Sequence, residues 1–416
     1  MKLSSIMPRL LATAALFLSM SSCSENLDSS GVCNVLCPQI GGAVQNVTLE
    51  GAVALDTSVL SFSGLGTEPR LLLAARGDTL DTRAIIRFDS LPQTYNTAGD
   101  SIKSVDSAYI RLQIDTLSIK GTGPVTIEAY DVDTTANDTS SAAILPLFRP
   151  DRFISSQSFT REQLTDTLKY FIDNNAVLSR IQSGARLRIG LRATGPSFQM
   201  HIFSSEGPQG PILSFRAVPD TLTPRVTVVP FSKTPTDDRI LSAVLVDYTV
   251  IAKAPPSAPP SVLGVGGFPS RRVYVRFDIP DSLIDSSNVV RATLLLNQLS
   301  NPALDPTDTV RLVAQVVLAG KVVTDPTKAA QISIGVSPDT LVVRPGDAGQ
   351  RSVELARAFT LWKLQKADTL PRAIVIQSLS EGASPIEIRF SSSEDIAALR
   401  PRLRISYTSR VPLGLP

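Results

Sequence analysis

The constraint that bears hardest on this chain is that most of it is written twice, a pattern that fixes one structural unit per copy. Arg83-Ala-Ile-Ile-Arg87-Phe88-Asp89 returns as Arg272-Val-Tyr-Val-Arg276-Phe277-Asp278. Val105-Asp-Ser-Ala108-Tyr-Ile110-Arg-Leu112 returns as Val289-Val-Arg-Ala292-Thr-Leu294-Leu-Leu296. Phe198-Gln-Met-His201-Ile202-Phe-Ser204-Ser205-Glu206 aligns without gaps to Ile386-Glu-Ile-Arg389-Phe390-Ser-Ser392-Ser393-Glu394. Each copy then closes on Pro211-Ile-Leu213-Ser-Phe215 or Pro401-Arg-Leu403-Arg-Ile405. The order and spacing are shared, so the chain is a tandem duplication.

Within each copy the apolar residues alternate, the mark of half-buried strands. Ala84, Ile86 and Phe88 fall on one face, with Ile85 and Arg87 on the other. The second copy sets Val273, Val275 and Phe277 against Tyr274 and Arg276. Turn-formers such as Asn96-Thr-Ala-Gly99-Asp100 and Ser337-Pro-Asp339 separate the strands. Thirty prolines suit loops and strand edges better than helices. The expected fold is all-β, two tandem jelly-roll-like sandwiches over 44–219 and 220–416, meeting near Pro219–Pro224. Lys253-Ala-Pro-Pro-Ser-Ala-Pro-Pro-Ser261 reads as a stiff loop inside the second unit rather than a linker. One short helix is expected in the first copy, where Thr160 and Gln163 have capping-box spacing before Leu164, Leu168, Phe171 and Ile172. The matching stretch around Phe359-Thr-Leu-Trp362 alternates like a strand, so the copies are expected to differ there.

The first 22 residues have a different character. Lys2 and Arg9 precede an apolar run from Leu10 to Met20, too short to span a bilayer as a helix, and Ser21-Ser22-Cys23 follows. Met20-Ser21-Ser22-Cys23 resembles the lipobox of bacterial lipoproteins, which implies cleavage after residue 22 and lipidation of Cys23. Several acyl chains hold a protein at a membrane where one does not. Ser24, in a two-membrane bacterium, implies sorting to the outer membrane or cell surface. Residues 23–43 read as a lipidated tether. Of the three cysteines, Cys33 and Cys37 then remain, either bridged in an oxidising compartment or free. Without Lys2 and Arg9 the mature chain balances its 38 acidic residues with as many basic ones, which speaks against nucleic acid as a partner.

The order of the repeated motifs resembles the exported DNRLRE domain, itself similar to carbohydrate-binding modules. A Gly-ending strand (Leu71 to Gly77; Val262 to Gly267) precedes Arg-x-x-x-Arg-Phe-Asp. An Ala-x-Leu-x-Leu strand, a Ser-x-Glu and a Pro-x-Leu follow. The naming string itself is absent, and Ser205 and Ser393 stand where Arg is expected before Glu206 and Glu394. The resemblance covers most of residues 44–409 and implies a glycan-binding or cell-surface role.

Candidate chemistry is sparse. With one histidine, His201, placed on an outward strand face, and no nucleophile elbow, an enzyme is not expected. Clustered zinc ligands are missing too. Glu206 and Glu394 are duplicated and read as structural acceptors of loop amides. Asp131, Asp133, Asn137 and Asp138 offer hard oxygens for structural calcium, but without the glycine and terminal glutamate of an EF-hand loop. Solvated loop acids are the simpler reading. No cofactor is expected. Gly264-Val-Gly266-Gly267 is a strand end and turn, because no helix follows to receive phosphate. The outward ladder Arg83–Ile85–Arg87, repeated as Arg272–Tyr274–Arg276, is the expected ligand site, since guanidinium groups and an aromatic face suit acidic sugars. The alternative is a solvated face, or a structural or adhesive subunit that docks with another envelope protein.

Overall fold

The computed structural model describes residues 44–409, with breaks at 62–65, 67, 97, 135–139, 208, 219–222, 233–245, 336–339 and 365–369. Cys23, Cys33, Cys37 and Asp138 lie outside the described residues. The alternating stretches form strands. The first are β1 (Gln45–Leu49), β2 (Val53–Leu60), β3 (Arg70–Arg76), β4 (Leu80–Phe88), β5 (Asp106–Lys120) and β6 (Val125–Asp131). Next come β7 (Phe153–Phe159), β8 (Thr167–Phe171), β9 (Leu187–Thr194), β10 (Phe198–Phe203) and β11 (Ile212–Arg216). Then follow β12 (Val226–Val228), β13 (Asp247–Lys253), β14 (Val262–Gly266), β15 (Arg271–Phe277), β16 (Ser287–Leu299) and β17 (Val310–Val317). The last are β18 (Ser333–Gly335), β19 (Leu341–Val343), β20 (Gly349–Glu354), β21 (Ala373–Ser378), β22 (Glu387–Ser391) and β23 (Arg402–Ser409).

One sheet runs β12-β11-β5-β10-β3-β4-β9-β6-β7 and the other β1-β23-β16-β22-β14-β15-β21-β17-β18. Laid side by side, the two orders correspond strand for strand. Two side pairings correspond as well, β13 on β4 with β2 on β15 and β8 on β5 with β20 on β16, while β19 on β17 is particular to the second sheet. Residues from distant parts of each path meet in one core, so each sheet folds back into a sandwich. Ala84, Ile86 and Phe88 point into the first core, and Val273, Val275 and Phe277 into the second. The fold is therefore all-β, as the alternation requires.

The two sequence halves and the two sandwiches do not coincide. β1 pairs with β23, Gln45 opposite Tyr407, and β2 pairs with β15, Asp56 opposite Val275. The first two described strands thus complete the second sandwich. Their counterparts β12 and β13 complete the first, pairing with β11 and β4. The first sandwich is the continuous stretch 66–253, and the second is 254–409 plus 44–60. This replaces the division near 219–224. The proline-rich stretch after Lys253 is the connection between the sheets, not a loop within one of them. Val47-Thr48 in β1 and Val226-Thr227 in β12 mark the equivalence, as do Asp56 and Asp247.

Those two aspartates do the same work. Ser205 donates its backbone N–H to Asp247 Oδ2 at 2.8 Å, and Ser393 donates its own to Asp56 Oδ2 at 2.7 Å. The repeated Ser-Glu loop is therefore held by an aspartate from the closing strand. Glu206 and Glu394, expected to accept these amides, are exposed instead.

Burial pushes the Asp247 carboxyl up to about 7, and Glu206 adds to the rise, while the Ser205 amide opposes it. The folded state therefore binds a proton that the unfolded chain releases near pH 4 (an ordinary Asp lies at about 3.9). The stability from that proton is fully present below about pH 4 and is lost as pH rises to about 7, so most of it remains at pH 5 and none at pH 8. Three units at about 1.4 kcal/mol each bound the effect at about 4 kcal/mol. Denaturant titrations should find the protein weaker at pH 8 than at pH 5, with Asp247→Asn narrowing the gap. An unchanged gap in the variant would contradict this assignment.

The helix expectation needs correction in both copies. The Thr160–Gln163 box forms, yet it caps a single 3-10 turn, Arg161–Gln163. The chain then enters β8, with Leu168 and Tyr170 inward and Phe171 outward. Leu164, Leu168 and Ile172 fit period two as well as a helical stripe, and β5 supplied the partner that decided it. The helix lies just beyond, at Asn174–Ser183, capped by Asp173 and ended by Gly184 in the left-handed region. Phe359 and Trp362 sit on a helix too, Ala356–Leu364, with Ala358 buried beside them. The copies agree here rather than differ.

Candidate functional site

Strand faces that the alternation alone marks as outward are largely covered. The connection between β6 and β7 lays Ile144, Leu145, Leu147 and Phe148 over Ile85, Tyr130 and Tyr248. In the second copy, the connection between β17 and β18 lays Ala329 and Ala330 over Tyr274, Val317 and Val375. A third layer thus buries most of the expected binding ladder. Arg83 is held by Asp81 at 3.2 Å and lies 4.4 Å from the Phe148 ring. Arg87 is 1 % exposed and pairs with Asp89 at 2.6 Å. Arg272 pairs with Glu381 at 2.6 Å and donates to the Ala330 carbonyl at 3.0 Å. Tyr274 is 4 % exposed. Of the six ladder residues, Arg276 is the exposed one.

The reason lies in one cross-strand position. In the first sandwich Arg87 stands opposite Arg188 on β9. In the second, Arg276 stands opposite Ala373 on β21. Arg188 is fully buried and helps fill the space that Ala373 leaves open. Asp89 is buried under Arg87, whereas its counterpart Asp278 is exposed and forms no ion pair with Arg276. The same Arg-Phe-Asp string is sealed in one copy and open in the other.

The opening beside Arg276 is a cavity of about 470 Å³ lined by Tyr274, Arg276, Lys321, Pro371, Arg372 and Asp281, among others. Arg372 donates to the Ile279 carbonyl and pairs with Asp281, which fixes its guanidinium at the rim. Asp281 matches Arg372, whereas the exposed guanidinium of Arg276 forms no ion pair among the described residues, so it is the group that draws an anion to this cavity. Burial raises the Tyr274 phenol above its usual value, against the pull of Arg276. The phenol therefore stays neutral in ordinary buffers, and no proton transfer is needed for it to line the wall.

The remaining candidates resolve otherwise. Asp131 pairs with Arg180, and Asp133 is reached by Arg180 at 3.5 Å and by Arg186 at 2.5 Å. Two guanidinium groups stand where a cation would have to sit, so these acids serve as ion-pair partners of the helix Asn174–Ser183 and the strand β9 entry. Among the described residues no group of three or more His, Cys, Asp or Glu could hold a metal ion. His201 lies on the outward face of its strand, as the alternation places it, and is half-buried there against the second sandwich, with Nε2 2.9 Å from the Ala383 carbonyl. Among the described residues no helix is long and apolar enough to cross a membrane.

No protein-family model matches the chain, and no curated protein matches it. Solved structures give remote likenesses. A recombinant N-glycanase F (PNGase F) shares 9% identity over 86% of this chain and 97% of its own, at a TM-score of 0.19. The tandem CBM22-1-CBM22-2 region of Paenibacillus barcinonensis Xyn10C shares 7% over 90% of this chain and 100% of its own, at a TM-score of 0.17. The infectious bursal disease virus VP2 subviral particle shares 11% over 90% and 81%, at a TM-score of 0.13. Likenesses this weak carry no argument about what the chain does.

Proposed function

We propose that this chain is a lipid-anchored cell-envelope protein whose second sandwich binds an acidic polysaccharide, without catalysis, at the cavity beside Arg276. One observation carries the site: the repeated Arg-Phe-Asp string is sealed by a buried ion pair at Arg87 and left open at Arg276. A guanidinium on a rigid strand, flanked by Lys321 and Arg372, suits carboxylates on a sugar chain. The lipobox resemblance supports attachment through Cys23, and the DNRLRE resemblance supports a glycan as ligand. A non-catalytic role follows from a chain with a single histidine and no nucleophile motif.

One set of samples tests both parts. Expressed in a two-membrane bacterial host, the wild type should partition with membranes and Cys23→Ser should not. The soluble Cys23→Ser chain should be retarded in native gels containing polygalacturonate or alginate and run freely in dextran. Arg276→Ala should weaken retention about tenfold, the loss expected for one charge-assisted contact of about 1.5 kcal/mol. Free mobility in every acidic gel would instead favour a structural subunit that docks with another envelope protein.

A further inference from the structure

The outer face of the β8-β5-β11-β12 layer, in the first sandwich, carries cations that no carboxylate answers. On β5, Ala108, Ile110 and Leu112 point into the core, so Tyr109, Arg111 and Gln113 point out. Tyr109 stands opposite Phe171 on β8 and Ser214 on β11, and Arg111 stands opposite Lys169 and Ile212. Ser214 in turn lies opposite Thr227 on β12, and Arg225 reaches its hydroxyl at 3.0 Å. Strand register and that one contact gather Arg111, Lys169 and Arg225 around a single tyrosine.

The Tyr109 ring has the Arg225 guanidinium 4.7 Å and the Lys169 ammonium 5.4 Å from its centre. Arg225 also donates to the Ser107 and Ser214 carbonyls, which fix the guanidinium without cancelling its charge. The phenol registers the resulting field. Its hydrogen bond with Ser214 lowers its pKa most, and Arg225, Lys169 and Arg111 lower it further against the effect of burial. None of the three cations forms an ion pair among the described residues. The mature chain carries as many acids as bases, so this concentration of charge is local.

The corresponding face of the second sandwich, β20-β16-β23-β1, is neutralised. Val353 lies opposite Leu294 as Tyr170 lies opposite Ile110, so Glu354 stands where the first copy has Phe171. Glu354 pairs with Arg291 at 3.1 Å, and Arg402 pairs with Glu50 at 3.5 Å. Thr293 takes the place of Tyr109. Only the first copy combines bare charge with bare carbon: Arg111 and Lys169 are exposed, Phe171 is 50 % exposed, and Val229, just past β12, is 64 % exposed.

A sheet face meets a plane better than it encloses a small molecule. Cations set around a projecting aromatic ring match an anionic lipid surface, where phosphates take the charge and the ring enters the headgroup boundary. We propose that this face docks on a membrane surface of anionic phospholipids, with Arg111, Lys169 and Arg225 against phosphates and Phe171 at the headgroup boundary. The proposal takes from the lipid-anchored reading only the nearness of a membrane. The contact itself needs no acyl chain and is independent of Arg276.

Sedimentation of the soluble Cys23→Ser chain with vesicles tests it. The chain should bind equimolar phosphatidylcholine–phosphatidylglycerol vesicles at low salt, leave them as salt is raised, and ignore pure phosphatidylcholine. Arg111→Gln and Lys169→Gln, at exposed positions where folding is not at stake, should each weaken binding about fivefold, the equivalent of about 1 kcal/mol per basic residue at such a surface. Phe171→Ser should weaken it as well. Arg404→Gln, which removes an exposed cation from the neutralised face, should leave binding unchanged, and so should Arg276→Gln. A failure of the Arg276 reading therefore shows in the polygalacturonate gels alone. Absence of binding to the anionic vesicles, or binding that Arg404→Gln weakens as much as Arg111→Gln and Lys169→Gln do, would overturn the proposal. Polygalacturonate retention lost in Arg111→Gln and Lys169→Gln, with no vesicle binding, would overturn it too and assign the face to an acidic polysaccharide.

Discussion

A fragment of residues 66–253 is expected to fold on its own, whereas a fragment of residues 44–219 is not. The first contains β3 to β13 and so every strand of the first sandwich. The second keeps β1 and β2, which belong elsewhere, and lacks β12 and β13. Without β13 the backbone of β4 loses its partner from Asp81 to Ile86, and the cover over Ile85 loses Tyr248 and Val250. Each of those buried side chains contributes about 1.5–3 kcal/mol. Together with the stripped strand edge, the loss approaches the 5–15 kcal/mol that holds a whole domain. Residues 254–409 should likewise fail alone and recover when 44–60 is joined behind Ser409 by a short linker, because Gln45 lies opposite Tyr407. Circular dichroism melts check all four. A cooperative melt of 44–219 matching that of 66–253 would contradict the exchange.

Asp89→Ala is expected to destabilise the protein by about 3–5 kcal/mol, the cost of stripping one partner from a buried ion pair. Its repeat equivalent, Asp278→Ala, should cost no more than about 0.5 kcal/mol, as exposed substitutions do. Arg87 and Asp89 are almost fully enclosed, and Arg188 lies across from Arg87. Removing the carboxylate would leave two guanidinium groups in a buried layer, and burial already lowers the proton affinity of Arg188. Asp278 is exposed, with water to take its place. Urea titration of both variants measures the contrast. Equal losses would mean that the two copies of the motif have not diverged.

Much of the fold is legible in the residues, for a physical reason. A strand with one buried face must alternate, and Ala84-Ile86-Phe88 and Val273-Val275-Phe277 do so in both copies. The duplication is equally plain, since matched cores retain matched side chains. What the alternation hides is whatever covers the second face. Ile85 and Tyr274 read as outward because a two-layer sandwich leaves that side to water, and nothing in the strands announces the connections that cover them. The strand exchange is hidden for a related reason: β1 and β12 present similar side chains to equivalent edges, so neither carries a label for its partner. The helix was displaced by about ten residues because Leu164, Leu168 and Ile172 satisfy both periods. The basic face of the first sandwich was illegible, since Arg111, Lys169 and Arg225 meet around Tyr109 only through strand pairing.

Hydrogen exchange of the soluble chain, with and without polygalacturonate, tests the central claim most directly, because it locates a ligand without presupposing a site. The account predicts slowed exchange in the Arg271–Phe277 strand and in residues 321–324, with the sealed counterpart Leu80–Phe88 unchanged. Protection confined to other surfaces, or equal in the two copies, would contradict it.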